Sequence, residues 1–260
     1  DESQRIGEEQ TWQVGGTLFI NPAPGFRTKI RGEYTNIDDG MPAAPLLDSS
    51  FNCGPFVPGG ETIFCGKIPE LPADRIGFNT TDADFDTFIQ DAAERGVDFI
   101  LTPDRFGLER RGWRIGSTTE IDLSDTLQLN VLLGYSEEKA TTLVDTDQTP
   151  DRAYTLYGGR DFSDFQAEVR LSGEVGDWVD WSIGGNYYKL DYVTNGAFGL
   201  QAFGQSSSFG NLGERDYAFV DTLGVFGRFS FQFTDALGLT LEGRYQEDEI
   251  DETVTGDPDM

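Results

Sequence analysis

Apolar and polar side chains alternate strictly along much of the 260-residue chain. From Phe165 to Val175, apolar residues or glycine fill the odd positions, and Gln, Glu, Arg and Ser fill the even ones. Because successive side chains of a β-strand point to opposite faces, this pattern indicates strands with one apolar and one charged face. The same alternation runs from Phe26 to Tyr34 and from Leu237 to Gln246.

Eight segments with this pattern predict eight long antiparallel strands, at about 10–21, 25–38, 110–123, 126–139, 161–175, 178–192, 217–233 and 237–249. Short turns rich in Gly, Pro and Asp join them into four hairpins. Long connections lie on the other side, at roughly 39–109, 140–160 and 193–216. Short periplasmic turns and long extracellular loops are typical of an outer-membrane barrel, in which a strand needs roughly 9–11 residues to cross the bilayer. The predicted fold is therefore all-β, an antiparallel transmembrane β-barrel segment.

Two sets of side chains are candidate functional features of such a barrel. Aromatic residues near the strand ends predict a girdle at each membrane interface: Trp12, Tyr34, Trp113, Trp178, Trp181, Tyr187, Phe231, Phe233 and Tyr245. Charged residues on the polar faces predict a lumen-lining set: Arg27, Lys29, Arg31, Glu168, Arg170, Glu242 and Arg244. The simpler interpretation of these charges is solvation of a water-filled interior or pairing with a plug. A soluble barrel remains the alternative, since alternation alone does not say which face is outside.

The first long loop contains one predicted helix, over about 83–95. Thr81 or Asp82 can cap its first turn, and Gly96 can close it. Its expected role is to pack the long loop onto itself.

Two loop features suggest local chemistry. Cys53 and Cys65 lie in a stretch rich in Gly and Pro, which predicts a disulfide and an oxidising compartment, with two free thiols as the alternative. Asp145, Asp147 and Asp151 could bind calcium, but they lack the EF-hand spacing, so no metal site is assigned.

The composition narrows the function. The chain has no histidine and a formal net charge of −27. Without histidine there is no Ser-His-Asp triad and no His-ligated zinc, so neither an enzyme nor a cofactor is expected. The negative charge argues against a nucleic-acid partner. An aromatic content of 13% argues against disorder.

Several segments together resemble the barrel of TonB-dependent outer-membrane receptors. They begin at Leu132 (LLGYSEEK), Gly158 (GGRDFSDFQAEVRLSG), Trp181 (WSIGGNYY) and Phe226 (FGRFSFQFTDALGLTLEGRY). Each pattern is weak alone, but their order over about 130–250 is that of the family.

The resemblance implies a large barrel in the outer membrane of a Gram-negative cell, plugged by a separate N-terminal domain. It would import a scarce solute, such as an iron–siderophore complex, with energy relayed by TonB. The expected partners are outer-membrane lipid, the plug domain of the same full-length chain, the TonB complex through that plug, and an unknown small solute. No plug, TonB-contacting segment or closing C-terminal strand is recognised, so residues 1–260 are expected to be an internal part of the barrel domain.

Two other functions remain as alternatives. A complete small barrel of eight strands could act as a structural anchor or adhesin, since an even strand number permits closure. An outer-membrane barrel enzyme is disfavoured because the chain has no histidine.

Overall fold

The computed structural model describes residues 8–41, 52–53, 63–64, 82–94, 97–145, 154–200 and 215–255. One antiparallel sheet of eight strands dominates it, in the order β1-β2-β5-β6-β7-β8-β9-β10. These strands are β1 Thr11–Ala23, β2 Phe26–Gly40, β5 Gly107–Ser124, β6 Leu127–Asp145, β7 Tyr154–Val175, β8 Val179–Leu200, β9 Arg215–Thr234 and β10 Leu237–Thr255. The first long loop holds helix α1, Asp82–Glu94, and two short paired strands, β3 Asn52–Cys53 and β4 Ile63–Phe64.

All eight predicted long strands are present, and most of them extend further toward the long loops than the alternation suggested. Strands β7 and β8 each have 22 residues. The extensions mix polar and apolar side chains without strict alternation, so backbone pairing continues there while the alternation signal ends. Helix α1 lies within one residue of its predicted bounds. The strands β3 and β4 were not predicted, because two residues are too few to show a period.

The four hairpins close with tight turns, as the sequence predicts. Gly25 has a φ of 76° and Gly176 a φ of 58°, the left-handed region that glycine adopts without steric cost. Where a strand pair shifts register, the shift lies beside a turn, as between Ile20 and Ala23. Strands β6, β7 and β8 pair without a register shift, so each keeps the same two faces along its whole length.

The sheet has an apolar face and a charged face. The apolar face carries Leu133, Val169, Ile183, Leu223 and Leu241, which the ladder places on one side of successive strands. Val169 is 48% exposed and Leu223 is 61% exposed. This face is therefore not the core of a sandwich, because no second layer of the described residues covers it.

The buried core lies at the loop end of the sheet. It joins α1 to two strands through Met41, Phe88, Ala92, Val97, Phe106, Leu143 and Tyr157. Besides residues of the long loop, this core includes Leu143 of β6 and Tyr157 of β7, so α1 packs on the sheet as well as on its own loop. The helix is an added layer on the strand ends.

No helix in the described part of the chain is long and apolar enough to cross a membrane.

Candidate functional site

The structure places all seven predicted lumen charges on the charged face, but it does not join them into one ladder. On β7, Arg170 donates to Glu168 over 2.7 Å. Between β9 and the edge strand β10, Arg228 lies 3.4 Å from Glu242. Arg244 contacts polar amides, donating to Gln246 over 2.6 Å. These are separate groups on different strands.

The most enclosed charge is one that the sequence analysis did not select. Glu33, on β2, receives hydrogen bonds from Arg31 over 2.9 Å and from Arg114 of β5. The Glu33 side chain is only 4% exposed, while those of Arg31 and Arg114 are 63% and 65% exposed. The carboxylate is thus covered by two guanidinium groups that face outward, and together we call these three residues the Glu33 cluster.

A second carboxylate has a similar arrangement. Glu138 of β6 lies 3.7 Å from Arg110 of β5 and accepts a hydrogen bond of 3.0 Å from Arg160 of β7. Each carboxylate is therefore held by two arginines, and each arrangement ties neighbouring strands. Alternation could have identified Glu33, Arg114 and Glu138, because they share the parity of the charged face.

Two depressions in the charged face adjoin Arg114. One, of about 410 Å³, lies between the Glu33 cluster and Glu138. The other, of about 460 Å³, is lined by Lys29, Arg31 and Asp164 among others. Glycines between the charged residues leave this space open. The arrangement can bind anionic or hydrogen-bonding groups, and it contains no activated nucleophile.

The aromatic residues form two rows. In the row nearer the loops, the ring centroids of Trp12 and Tyr34 lie 5.1 Å apart and those of Trp113 and Tyr135 lie 5.0 Å apart. The row nearer the turns includes Trp178, whose ring centroid is 6.3 Å from that of Phe231. Of the nine predicted girdle residues, Trp178 lies in the β7–β8 turn and the other eight lie on the apolar face.

The height of the apolar face, from the turn to the aromatic row nearer the loops, fits a membrane. On β10, Leu237 begins beside the turn and Tyr245 lies in the row nearer the loops. Eight steps of roughly 3.4 Å along a strand, tilted by about 40°, give roughly 20 Å of height, close to the apolar band of membrane barrels.

Some predicted sites fall outside the described residues. Cys65 does, so the disulfide with Cys53 stays a prediction. Asp147 and Asp151 do as well, so the calcium hypothesis is not addressed. Within the described part, no group of acidic or cysteine side chains could hold a metal ion.

Comparison with known proteins identifies the family. The profile of the TonB-dependent receptor-like β-barrel matches residues 71–259, well over half of the chain. The chain belongs to this family. No curated protein matches it in sequence.

Solved structures of receptor barrels share its fold. The unliganded ferric citrate transporter FecA matches with a TM-score of 0.58 and 10% identity, over 97% of this chain and 31% of its own. Pseudomonas aeruginosa FpvA bound to pyoverdines matches with a TM-score of 0.61 and 13% identity, over 95% and 31%. The ferric yersiniabactin uptake receptor FyuA of Yersinia pestis matches with a TM-score of 0.53 and 10% identity, over 94% and 34%. The chain thus spans about a third of the length of these receptors.

The described sheet is open rather than closed into a barrel. A receptor barrel of the 22-strand class needs far more strands than the eight described here. Strands β1 and β10 form the two edges of the sheet and do not pair with each other.

Proposed function

We propose that the chain is part of the barrel wall of an outer-membrane receptor that imports a scarce solute, such as an iron–siderophore complex, with energy from TonB. The observation that carries this proposal is the sheet of eight long strands with one apolar and one charged face, in a chain of the receptor-barrel family.

The two faces give the wall its orientation. Lipid tails cannot hydrate a charge, so the apolar face and its aromatic rows lie against outer-membrane lipid. The charged face, with the seven predicted charges and the Glu33 cluster, lines the lumen. Within the sheet each strand pairs with its neighbours, which leaves only the edges for the remaining strands of the barrel.

An iron chelate is the solute class that the comparisons favour. The matched structures are a ferric citrate transporter, a receptor bound to pyoverdines and a ferric yersiniabactin uptake receptor. A lumenal patch with Lys29, Arg31 and Arg114 suits an anionic chelate, although the chain as a whole is acidic. No catalytic role follows, because the site supplies charge and space rather than a reacting group.

The partners follow from the same proposal. A plug domain of the full-length chain would occupy the lumen and contact the charged face, and TonB would act through that plug. A complete small barrel acting as an anchor or adhesin is disfavoured, since it requires β1 to pair with β10, whereas both are free edges of the described sheet.

Uptake by the full-length receptor tests the proposal. The gene would be expressed in a Gram-negative host that lacks its own ferric receptors, and cells would be supplied with radioactive iron bound to citrate, pyoverdine, yersiniabactin or a catecholate. We expect accumulation of at least one complex in cells with TonB and none in cells without it.

Two results would contradict the proposal. One is the absence of uptake for every chelate despite surface expression of the receptor. The other is uptake that is equal with and without TonB, since passive flow would indicate an open pore.

A further inference from the structure

Residues 97–106, between α1 and β5, cross the loop ends of strands that lie far apart in the sheet; we call this segment the strap. The strap begins at Val97, three residues after the last residue of α1, and ends at Phe106, a core residue that is 2% exposed. Its path runs across the strands rather than along them, as its contacts show.

The middle of the strap is held by two buried side chains. The backbone N–H of Leu101 donates to Thr141 Oγ1 over 3.1 Å, and that hydroxyl donates to the Leu101 carbonyl over 2.8 Å. The backbone N–H of Ile100 donates to the Tyr157 hydroxyl over 3.0 Å. Thr141 and Tyr157 are each 1% exposed, so these bonds are shielded from water.

The two ends of the strap reach the outer strands. Asn195 of β8 donates to the backbone carbonyl of Asp98, and Arg215 of β9 pairs with the Asp98 carboxylate. Toward β5, Arg105 donates to Asp38 of β2 over 2.7 Å. The strap therefore connects β2 with β6, β7, β8 and β9.

Parity along the strands shows which face the strap covers. Thr141 is eight residues from Leu133, and Tyr157 is twelve residues from Val169, both even separations. Because β6, β7 and β8 pair without register shifts, Thr141, Tyr157 and Asn195 lie on the apolar face. Asp38 likewise shares the face of Tyr34. The strap thus lies on the same side of the sheet as the aromatic rows.

The strap lies beyond the aromatic row nearer the loops. Thr141 is six residues past Tyr135, or roughly 20 Å further along the strand. This separation places the strap above the hydrocarbon region, where a hydrogen-bonded backbone can face water or headgroups.

We propose that the strap is an external brace on the barrel wall, which holds α1 outside the barrel rather than across its mouth. The inference rests on the proposed orientation of the two faces. Its consequence is that opening and closing of the lumen do not require movement of the strap. A gate at the mouth would instead need this segment on the charged face.

A pair of cysteines tests the position in the full-length receptor. In a background with Cys53→Ser and Cys65→Ser, we would combine Leu101→Cys with Thr141→Cys. The matched control combines Leu101→Cys with Thr142→Cys, because Thr142 is adjacent but lies on the charged face. We expect a disulfide in the first pair and none in the second, with iron uptake equal before and after oxidation.

A second pair of variants does not depend on cross-linking. Thr141→Val should speed protease cleavage within 97–106 on intact cells by roughly tenfold, because the strap loses two hydrogen bonds. Thr142→Val should leave the cleavage rate unchanged within about twofold, because its hydroxyl faces away from the strap.

The outcomes separate the brace from a gate. Uptake that is lost on oxidation and regained on reduction would overturn the brace, as would equal cross-linking of the two pairs. Absence of the first disulfide together with equal cleavage of the two valine variants would also overturn it. If the unmodified receptor imports no chelate, the proposed function fails, whereas cross-linking and proteolysis still decide the position of the strap.

Discussion

At the scale of single residues, the charged face contains two kinds of ion pair. The pair of Arg170 and Glu168 is well exposed, with side-chain exposures of 48% and 34%. Such pairs contribute little to stability, because water screens them and ordering two long side chains costs entropy. Glu33 differs, since its carboxylate is withdrawn from solvent and depends on Arg31 and Arg114 for hydrogen bonds.

Neutralising Glu33 should therefore cost more than neutralising Glu168. Glu33→Gln leaves two neighbouring guanidinium groups without their shared anion, so we expect the thermal midpoint of the folded receptor in detergent to fall by roughly 2–4 °C. Glu168→Gln, the matched control, should change it within error. Equal midpoints for the two variants would show that burial of Glu33 has no energetic consequence.

Because the strap is bonded to the buried phenol of Tyr157, we expect the stability of its attachment to depend on pH. Burial raises the pKa of its phenol above the ordinary value of 10.0. The folded state then holds this proton more tightly than the unfolded state does, so its contribution to stability is complete below about pH 10 and is lost as the pH rises toward the raised pKa. We expect cleavage within 97–106 to accelerate above about pH 10.

The variant Tyr157→Phe removes that alkaline step. It should be cleaved faster already at neutral pH, because the Ile100 N–H and the side-chain amide oxygen of Asn195 lose their partner at a cost of about 1–3 kcal/mol. Tyr192→Phe, on the charged face, serves as the control and should behave as the unmodified receptor. An alkaline step that persists in Tyr157→Phe would assign it to another group.

At the scale of elements, the formation of α1 has local causes, whereas its position on the sheet has tertiary causes. Its sequence begins with Asp82, Asp84 and Asp86 near the N-terminus, where the helix dipole favours negative charge. Gln90 donates to Glu94 one turn later over 3.1 Å. These features explain why the helix forms where the sequence predicts. Its place on the strand ends comes from Phe88 and Ala92, which pack into a core shared with β6 and β7.

Substitutions at two adjacent alanines of α1 test whether the helix is held by its contacts with the sheet. Ala92 is 0% exposed and Ala93 is exposed. Ala92→Asp buries a carboxylate without a partner, so we expect α1 and the strap to become open to hydrogen exchange while the strands stay protected. Ala93→Asp changes the helix propensity by the same amount as Ala92→Asp does, and it should leave hydrogen exchange unchanged. Equal exchange in the two variants would mean that α1 is not docked.

At the scale of the whole molecule, the described sheet has two open edges. Its edge strands β1 and β10 offer unpaired backbone groups, and its apolar face exposes Leu18, Leu223 and Tyr245 to solvent. Exposed edges and large apolar surfaces promote association between chains. The rest of the receptor barrel and the lipid would cover both.

The isolated 260-residue chain should therefore aggregate in buffer without detergent. In detergent it should lack the heat-sensitive electrophoretic shift of a closed barrel, whereas the full-length receptor should show it. Light scattering and electrophoresis measure the two properties. A monodisperse monomer in plain buffer, or a closed barrel formed by the fragment alone, would contradict the membrane-wall interpretation.

Structural features that depend on neighbouring residues were predictable from the sequence, whereas features that depend on contacts between distant strands were not. The eight strands and their turns followed from alternation and turn residues, which are local, and the helix followed from its spacing. The Glu33 cluster was accessible from the same parity, but its burial was not, because it depends on Arg114 from a strand about 80 residues away. The strap carried no periodic signal at all.

The sequence by itself determined the period-two pattern, the hairpins, the acidic charge and the absence of histidine chemistry, since each depends on neighbouring residues or on composition. Only the tertiary structure decided that Glu33 is enclosed, that α1 packs on β6 and β7, and that the strap crosses the apolar side of the sheet. The physical reason is that these features depend on side chains such as Thr141, Tyr157 and Asn195. They meet the strap only after strands from distant parts of the chain have paired in register.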